Sequence, residues 1–208
     1  MPSGVPPNPN DPRFQRSYEA LVNAVTVLLE HGSLPDLSIA QIVEYAGVTR
    51  PTFYQHFPDI QTAAQHAALA KLDGIFTLAD EQSKQSDVPG GYSIENFRQD
   101  TILILRHLRE HENFYLAILN HAGTSHFFDE LIRFVSERLL PTPGKEERNG
   151  WQQREQDCLL MVSGGSTWMA VRWLCHGPAR EETEVMAERI TQTAATLISA
   201  VGLWPTQH

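Results

Sequence analysis

Cysteine is scarce in this chain. Cys158 and Cys175 are the only two in 208 residues, too few for a disulfide framework. Both fall in a stretch that reads as one continuous helix, where their separation corresponds to about 25 Å of helical rise. Two cysteines can be bridged only when their Cα atoms lie within about 7 Å. They do not pair with each other within the chain, and a reducing compartment, the cytoplasm, is the expected setting. Positive charge is scarce as well: 16 Lys and Arg stand against 25 Asp and Glu, a formal charge of −9. Sequence-blind coating of a polyanion needs many cations and is excluded. A small local contact surface is not, because steering depends on where the charges sit. Apolar runs long enough to span a membrane, about 18 residues, are missing. So are β-hairpin signals and sustained apolar–polar alternation. The chain also lacks G-x-S-x-G, H-E-x-x-H and any Gly-rich phosphate loop, so neither an enzyme nor a bound cofactor is expected.

What is present is helical periodicity. The opening "MPSGVPPNPNDP" has five prolines and no basic or apolar block; it reads as a disordered tail over residues 1–12 rather than a targeting segment. From Phe14, apolar residues recur at steps of three and four through Leu29, and His31-Gly32 ends that helix with Gly32 where a left-handed residue is favoured. Ser38 and Gln41 have capping-box spacing ahead of a second helix with Ile39, Ile42, Val43 and Ala46 as its stripe. Gly47 breaks it. Thr49 is the next N-cap, and Pro51 lies in the first turn, where its missing N–H costs nothing. This third helix runs from Arg50 to about His56. Pro58-Asp59 then opens an alanine-rich fourth helix reaching about Lys84. "QSDVPGGYS" reads as a linker. Helices follow from Ile94 to Arg109, Glu112 to about Asn120 and Ser125 to Leu140. "PTPGKEERNG" is a break, a long helix runs from Trp151 to Cys175, and His176-Gly177-Pro178 stops it. A last helix covers Glu181 to about Val201. The expected fold is all-α with about nine helices. Residues 13–58 form a small helix-turn-helix domain, and 59–208 form a second domain for ligand binding and dimerisation, joined to the first by the helix over 59–84.

The pair of short helices around Ala46-Gly47-Val48 has the form of a helix-turn-helix, in which the N-terminal residues of the second helix reach base edges in the major groove. Ser38 and Thr49 cap helix N-termini whose N–H groups suit phosphate. Arg50 offers a bidentate donor for guanine, while Pro51 and Thr52 offer small apolar surfaces for a thymine methyl. Tyr54 and His56 would place polar tips at the DNA backbone, with Gln55 free for a base or phosphate. Phe53 and Phe57 face inward. The local charge is unfavourable to ionic grip. Residues 1–80 hold four cations (Arg13, Arg16, Arg50, Lys71) against eight acids, so helix N-termini and hydroxyls are expected to supply much of the hold.

"LSIAQIVEYAGVTRPTFYQHFPD", with its A-G-V-T turn and T-F-Y-x-H-F recognition helix, resembles the DNA-binding segment of the TetR family of bacterial transcriptional regulators. The resemblance covers about Phe14 to Lys84 and is architectural beyond. It implies phosphate-contacting caps at Ser38 and Thr49, base-facing positions at Arg50, Pro51 and Thr52, and backbone contacts from Tyr54 and His56. It further implies a double-stranded DNA operator, a homodimer and an unknown small-molecule effector that releases the protein from DNA. One departure is plain: members place a lysine at the start of the fourth helix, where this chain reads "PDIQTA".

In the second half, "MVSGGSTWMAVRWLCHG" resembles the penultimate helix of that family's effector domains. Gly164 and Gly165 in mid-helix suggest a close backbone or ligand approach, since each costs about 1 kcal/mol relative to Ala. With Met186, Ile190, Ala194, Leu197 and Val201 along the last helix, they are the expected dimer interface. His107, Phe114, Tyr115, Leu119, Phe127, Met161 and Trp168 are candidates to line a ligand pocket, although aromatic residues at helical spacing also simply make core. His107 and His111 stand at i, i+4, but no third ligand follows at fixed spacing, so no metal site is expected. Two other readings stay open: a regulator-like fold acting through protein partners without specific DNA binding, and a helical carrier or enzyme.

Overall fold

Helix is the only regular structure among the described residues. The computed structural model describes residues 11–83, 93–139 and 153–200, without the side chains of 76–83 and 139. Nine α-helices occur there: α1 Pro12–His31, α2 Ile39–Ala46, α3 Arg50–His56, α4 Ile60–Ser83, α5 Ile94–Glu110, α6 Glu112–His121, α7 Ser125–Leu139, α8 Gln153–Cys175 and α9 Thr183–Ser199. Short 3-10 turns at Leu34–Asp36 and Gly177–Ala179 join α1 to α2 and α8 to α9. Residues 1–10 of the expected tail, most of the linker at 85–93, the break at 141–150 and Val201 lie outside the described residues. Asp11 and Pro12 belong to no tail: Asp11 caps α1, its Oδ1 accepting from the Arg13 N–H at 2.8 Å, and Pro12 opens the helix.

Two compact units share the chain, one made of residues 1–72 with 113–123 and the other of 73–112 with 124–208. The first unit thus takes in most of α4 and all but the first residue of α6, beyond the three short helices expected near residue 58. Its core collects Leu21, Val25 and Leu29 from α1, Ile42 from α2, Phe53 and Phe57 from α3 and its C-cap, and Phe114 and Ile118 from α6, all buried. Ala63, Ala64, Ala67 and Ala68 give α4 a fully buried face of small side chains, which explains its alanine-rich sequence. The Gln65 amide, buried within that face, donates to the Ala122 carbonyl at 2.7 Å. A buried amide without such an acceptor would be costly.

Gly32 is not left-handed. It is extended (φ −133°, ψ −172°), and a Cβ there would lie 2.9 Å from the Leu28 carbonyl oxygen. Close approach, rather than handedness, demands glycine. Gly47 does occupy the left-handed region (φ 66°), and its N–H and that of Val48 bond back to Glu44 and Val43, closing the turn between α2 and α3.

In the second unit α9 packs on both α5 and α8, and α7 packs on α8. Phe97, Ile102 and Leu105 of α5 meet a stripe of Met186, Ile190, Ala194 and Ile198 from α9, all buried within one protomer. Of the residues expected at a dimer interface on the last helix, Met186, Ile190 and Ala194 are therefore core, because an apolar stripe at steps of four serves whichever surface it meets first, whereas Leu197 is exposed. Gly164 lies 3.8 Å, by its would-be Cβ, from Ile132 of α7, while Gly165 faces open space. Buried hydroxyls inside α8 are satisfied internally: Ser163 donates to the Leu159 carbonyl (2.6 Å) and Thr167 to that of Ser163 (2.8 Å), the usual solution for a hydroxyl inside a helix. No helix among the described residues is long and apolar enough to cross a membrane.

Candidate nucleic-acid interface

The helix-turn-helix is built by its own caps. Ser38 Oγ accepts from the Gln41 N–H at 3.3 Å, and the Gln41 side chain accepts from the Ser38 N–H at 2.9 Å, the reciprocal pairing of a capping box. Thr49 Oγ1 accepts from the Thr52 N–H at 3.3 Å. Each hydroxyl is thereby spent on its own helix, and a phosphate arriving there would meet the remaining free N–H groups of the first turn. Arg50, Pro51, Tyr54 and Gln55 are exposed and Thr52 is half-buried. Arg50, Pro51 and Thr52 form the first turn of α3, while Tyr54 and Gln55 follow one turn on.

What holds α3 is aromatic. Phe53 and Phe57 are fully buried with ring centroids 5.8 Å apart, and Tyr54 stands edge-on to Phe53 at 5.6 Å. Tyr45 of α2, which sequence reasoning passed over, is exposed together with Tyr54. Exposed aromatic surface on a polar head was the signal that would have singled it out.

His56 departs from expectation. Its ring packs on Phe14 of α1 (centroids 4.0 Å), and its Nε2 lies 2.7 Å from Ser17 Oγ. The Ser17 hydroxyl is also 2.9 Å from the Phe14 carbonyl oxygen. With the proton on Nε2, the imidazole donates to the hydroxyl and the hydroxyl donates to the carbonyl. Nδ1 is then a buried acceptor without a partner. His56 thus clamps α3 to α1 instead of presenting a free polar tip.

That geometry has a pH consequence. Burial holds the His56 pKa below its ordinary value, because a proton on Nδ1 would bring a charge and an unmet donor into a half-buried contact. The unfolded chain takes up this proton at about pH 6.5, and the folded one only at lower pH. The unfolded state therefore binds more protons between the two values, and stability falls as pH drops through that window. The thermal midpoint should fall between about pH 8 and pH 5, and fall less in His56→Gln, which keeps a polar contact to Ser17 without titrating. Identical pH slopes for the two proteins would remove His56 as the cause.

The cations of this unit are few and partly committed. Lys71 binds Glu30 at 2.8 Å, and Arg16 donates to the Pro12 carbonyl. Arg50 is the only Lys or Arg between residues 17 and 70, and it has no ion pair among the described residues. At the start of α4, Asp59 Oδ1 accepts from the Thr62 N–H at 2.7 Å. The N-terminus of α4 is thus capped by a carboxylate.

The residues expected to line a ligand pocket divide between the two units. Phe114 and Tyr115 close the core of the first unit, Phe127 is buried in the second, and Met161 and Trp168 are 66% and 55% exposed. None of the seven lines the cavity described in the second unit, which lies at the C-terminal end of α8. Of the cysteines, Cys158 is buried and Cys175 exposed. Among the described residues no three or more His, Cys, Asp or Glu side chains gather as metal ligands.

Residues 20–62 match the family model of the N-terminal domain described as bacterial regulatory proteins, tetR family. No curated protein matches the chain in sequence. The fold is similar to that of a TetR transcriptional regulator from Rhodococcus sp. RHA1 (TM-score 0.61, 14% identity, 91% of this chain and 98% of that one). It is also similar to RolR in complex with resorcinol (0.60, 16%, 94% and 97%) and to a tetR-family regulator from Streptomyces coelicolor (0.58, 16%, 88% and 83%). Regulators of this family are not enzymes; they bind DNA and small-molecule ligands and act as dimers. Residues 20–62 thus match the N-terminal domain of bacterial tetR-family regulatory proteins, and the all-helical fold that carries this helix-turn-helix is similar to that of solved regulators of that family.

Proposed function

We propose that the protein is a cytoplasmic homodimeric repressor, held on a near-palindromic operator and released by a small-molecule effector. The observation that carries the reading is the first turn of α3: Arg50 and Pro51 exposed beside Thr52, on a helix fixed from behind by Phe53 and Phe57. Arg50 reads a guanine, Pro51 and Thr52 meet neighbouring base edges, and Tyr54 and Gln55 reach the backbone. Ser38 and Thr49 bring the N-termini of α2 and α3 to phosphates. One such helix offers little contact area, so two protomers read half-sites one helical turn or more apart. Support for the dimer comes from the exposed apolar side chains of α8. Leu160, Met161 and Trp168 flank the open Gly165, and charge-free surface of this kind marks an interface. An effector acts only through different affinities for the two states of the dimer, and a coupling of about 1–3 kcal/mol gives 5–150-fold release.

Selection of bound sequences from a random duplex library at moderate salt tests the reading, followed by the recovered site with Arg50→Ala. A palindromic site, and a loss of about 1–3 kcal/mol in the variant, are expected. Unchanged operator affinity would take the base-reading role from Arg50. A second reading draws on the acidic head, which also suits a protein partner; a selection that returns no palindrome favours it.

A further inference from the structure

We propose that the cavity at the C-terminal end of α8 binds a small organic carboxylate with a compact apolar or aromatic body. The inference is independent of the DNA-binding reading. The cavity measures about 380 Å³, within the range of small-molecule sites, about 300–1,000 Å³. It forms because the chain reverses there. α8 ends at Cys175, Gly177 takes φ 54°, and the following 3-10 turn brings Arg180 back beside the last turn of α8.

Its walls have two characters. Arg172, Arg180 and Arg189 bring three guanidinium groups to a space whose only lining carboxylate is Glu181. Arg189 is paired with Glu181, and Arg180 with Glu112. Even counting Glu112, one positive charge is left over. The surplus is local and structural. Arg172 has no ion pair among the described residues. Arg180 gives Nε to the Gly177 carbonyl at 2.7 Å and Nη2 to Glu112, yet its Nη1 is buried with no acceptor. That donor is covered, so the guanidinium open to an incoming anion is that of the exposed Arg172. Planar, two-oxygen carboxylates match guanidinium donors, which are rigid forks.

The other wall is apolar. Trp173 is buried and cannot swing, because its Nε1 donates to the Glu181 carbonyl at 2.8 Å. The Arg180 guanidinium lies 5.3 Å from the centre of its ring. Met169 and Met186 complete this side, and thioethers adapt to irregular apolar ligands and contact aromatic rings favourably. A bare inorganic anion would leave this wall unused, and a neutral ring would leave the Arg172 charge unmatched. The ligand that uses both is an acid with an apolar body.

Isothermal titration of the full-length chain with benzoate, benzamide and inorganic phosphate separates the cases. Benzoate is expected to bind about tenfold or more tightly than either of the others. Arg172→Gln, at an exposed and unpaired side chain whose loss leaves the fold intact by circular dichroism, is expected to weaken benzoate about tenfold and leave benzamide unchanged. Benzamide or phosphate binding as well as benzoate, or benzoate binding equally to Arg172→Gln, would overturn the assignment. So would the absence of benzoate binding at about 1 mM. A change of oligomeric state in Arg172→Gln, with no benzoate heat in the parent chain, would also overturn it and give the cavity to a carboxylate of a second copy.

Discussion

Phe53→Ala is expected to destabilise the first unit by about 3–5 kcal/mol and to abolish DNA binding with it. Phe53 is fully buried and lies centrally on α3, in contact with Phe57 and Tyr54. Seven residues make only two turns, and an isolated helix shorter than about 12 residues is marginal in water. The helix that reads DNA therefore exists because its inner face is packed. Removing the ring leaves a cavity beneath α3 that neighbouring aromatic rings, held by His56 and Tyr18 contacts, cannot fill without moving. Against a total stability of about 5–15 kcal/mol, the loss is a large share. Urea unfolding followed by far-ultraviolet circular dichroism measures it. A loss under about 1 kcal/mol would mean that α3 is held by something other than this ring.

Trp168→Asp is expected to leave the protomer folded and turn the proposed dimer into a monomer. Trp168 is more than half exposed in the protomer, and its ring stands edge-on to that of Phe128 with centroids 6.2 Å apart. Replacing it removes little from the core. At an interface between copies, truncating a central tryptophan costs about 2–4 kcal/mol, and a buried carboxylate adds a desolvation penalty. The dimer dissociation constant should rise about 100-fold or more, read by sedimentation velocity across a concentration series. Operator affinity should fall with it, since one recognition helix then binds alone. The same substitution at the buried Ile190 should instead unfold the second unit. A Trp168→Asp protein that remains dimeric would place the interface elsewhere.

The contrast between Trp168 and Ile190 also explains how far the sequence could be read. Helix limits were legible because their signals are local. Ser38 with Gln41, Thr49 ahead of Pro51, and Gly47 at the turn act within four residues, and the structure places each where expected. The all-helical fold followed from periodicity for the same reason. Partner choice is not local. The stripe Met186, Ile190, Ala194 has the spacing of an interface and of a core alike, and only packing against α5 and α8 makes it core. His56 belonged to a recognisable motif, yet its contacts, Phe14 and Ser17, lie about forty residues away. The cavity beyond α8 was invisible for a like reason. Arg172, Arg180 and Arg189 are ordinary surface-type residues in sequence, and their meeting depends on one reversal at Gly177.

Asp59 at the start of α4 bears on how such a protein would find its site in a cell. With Lys71 committed to Glu30 and Arg50 the only Lys or Arg between residues 17 and 70, few condensed counterions would be released when the head touches arbitrary duplex, and that release is the source of residence on non-operator DNA. The regulator would spend little time sliding along the chromosome and much of it free in solution, so that each operator is reached by three-dimensional encounter. Occupancy would then track the number of molecules in the cell more closely than it does for a basic repressor, most of whose copies are absorbed by the genome.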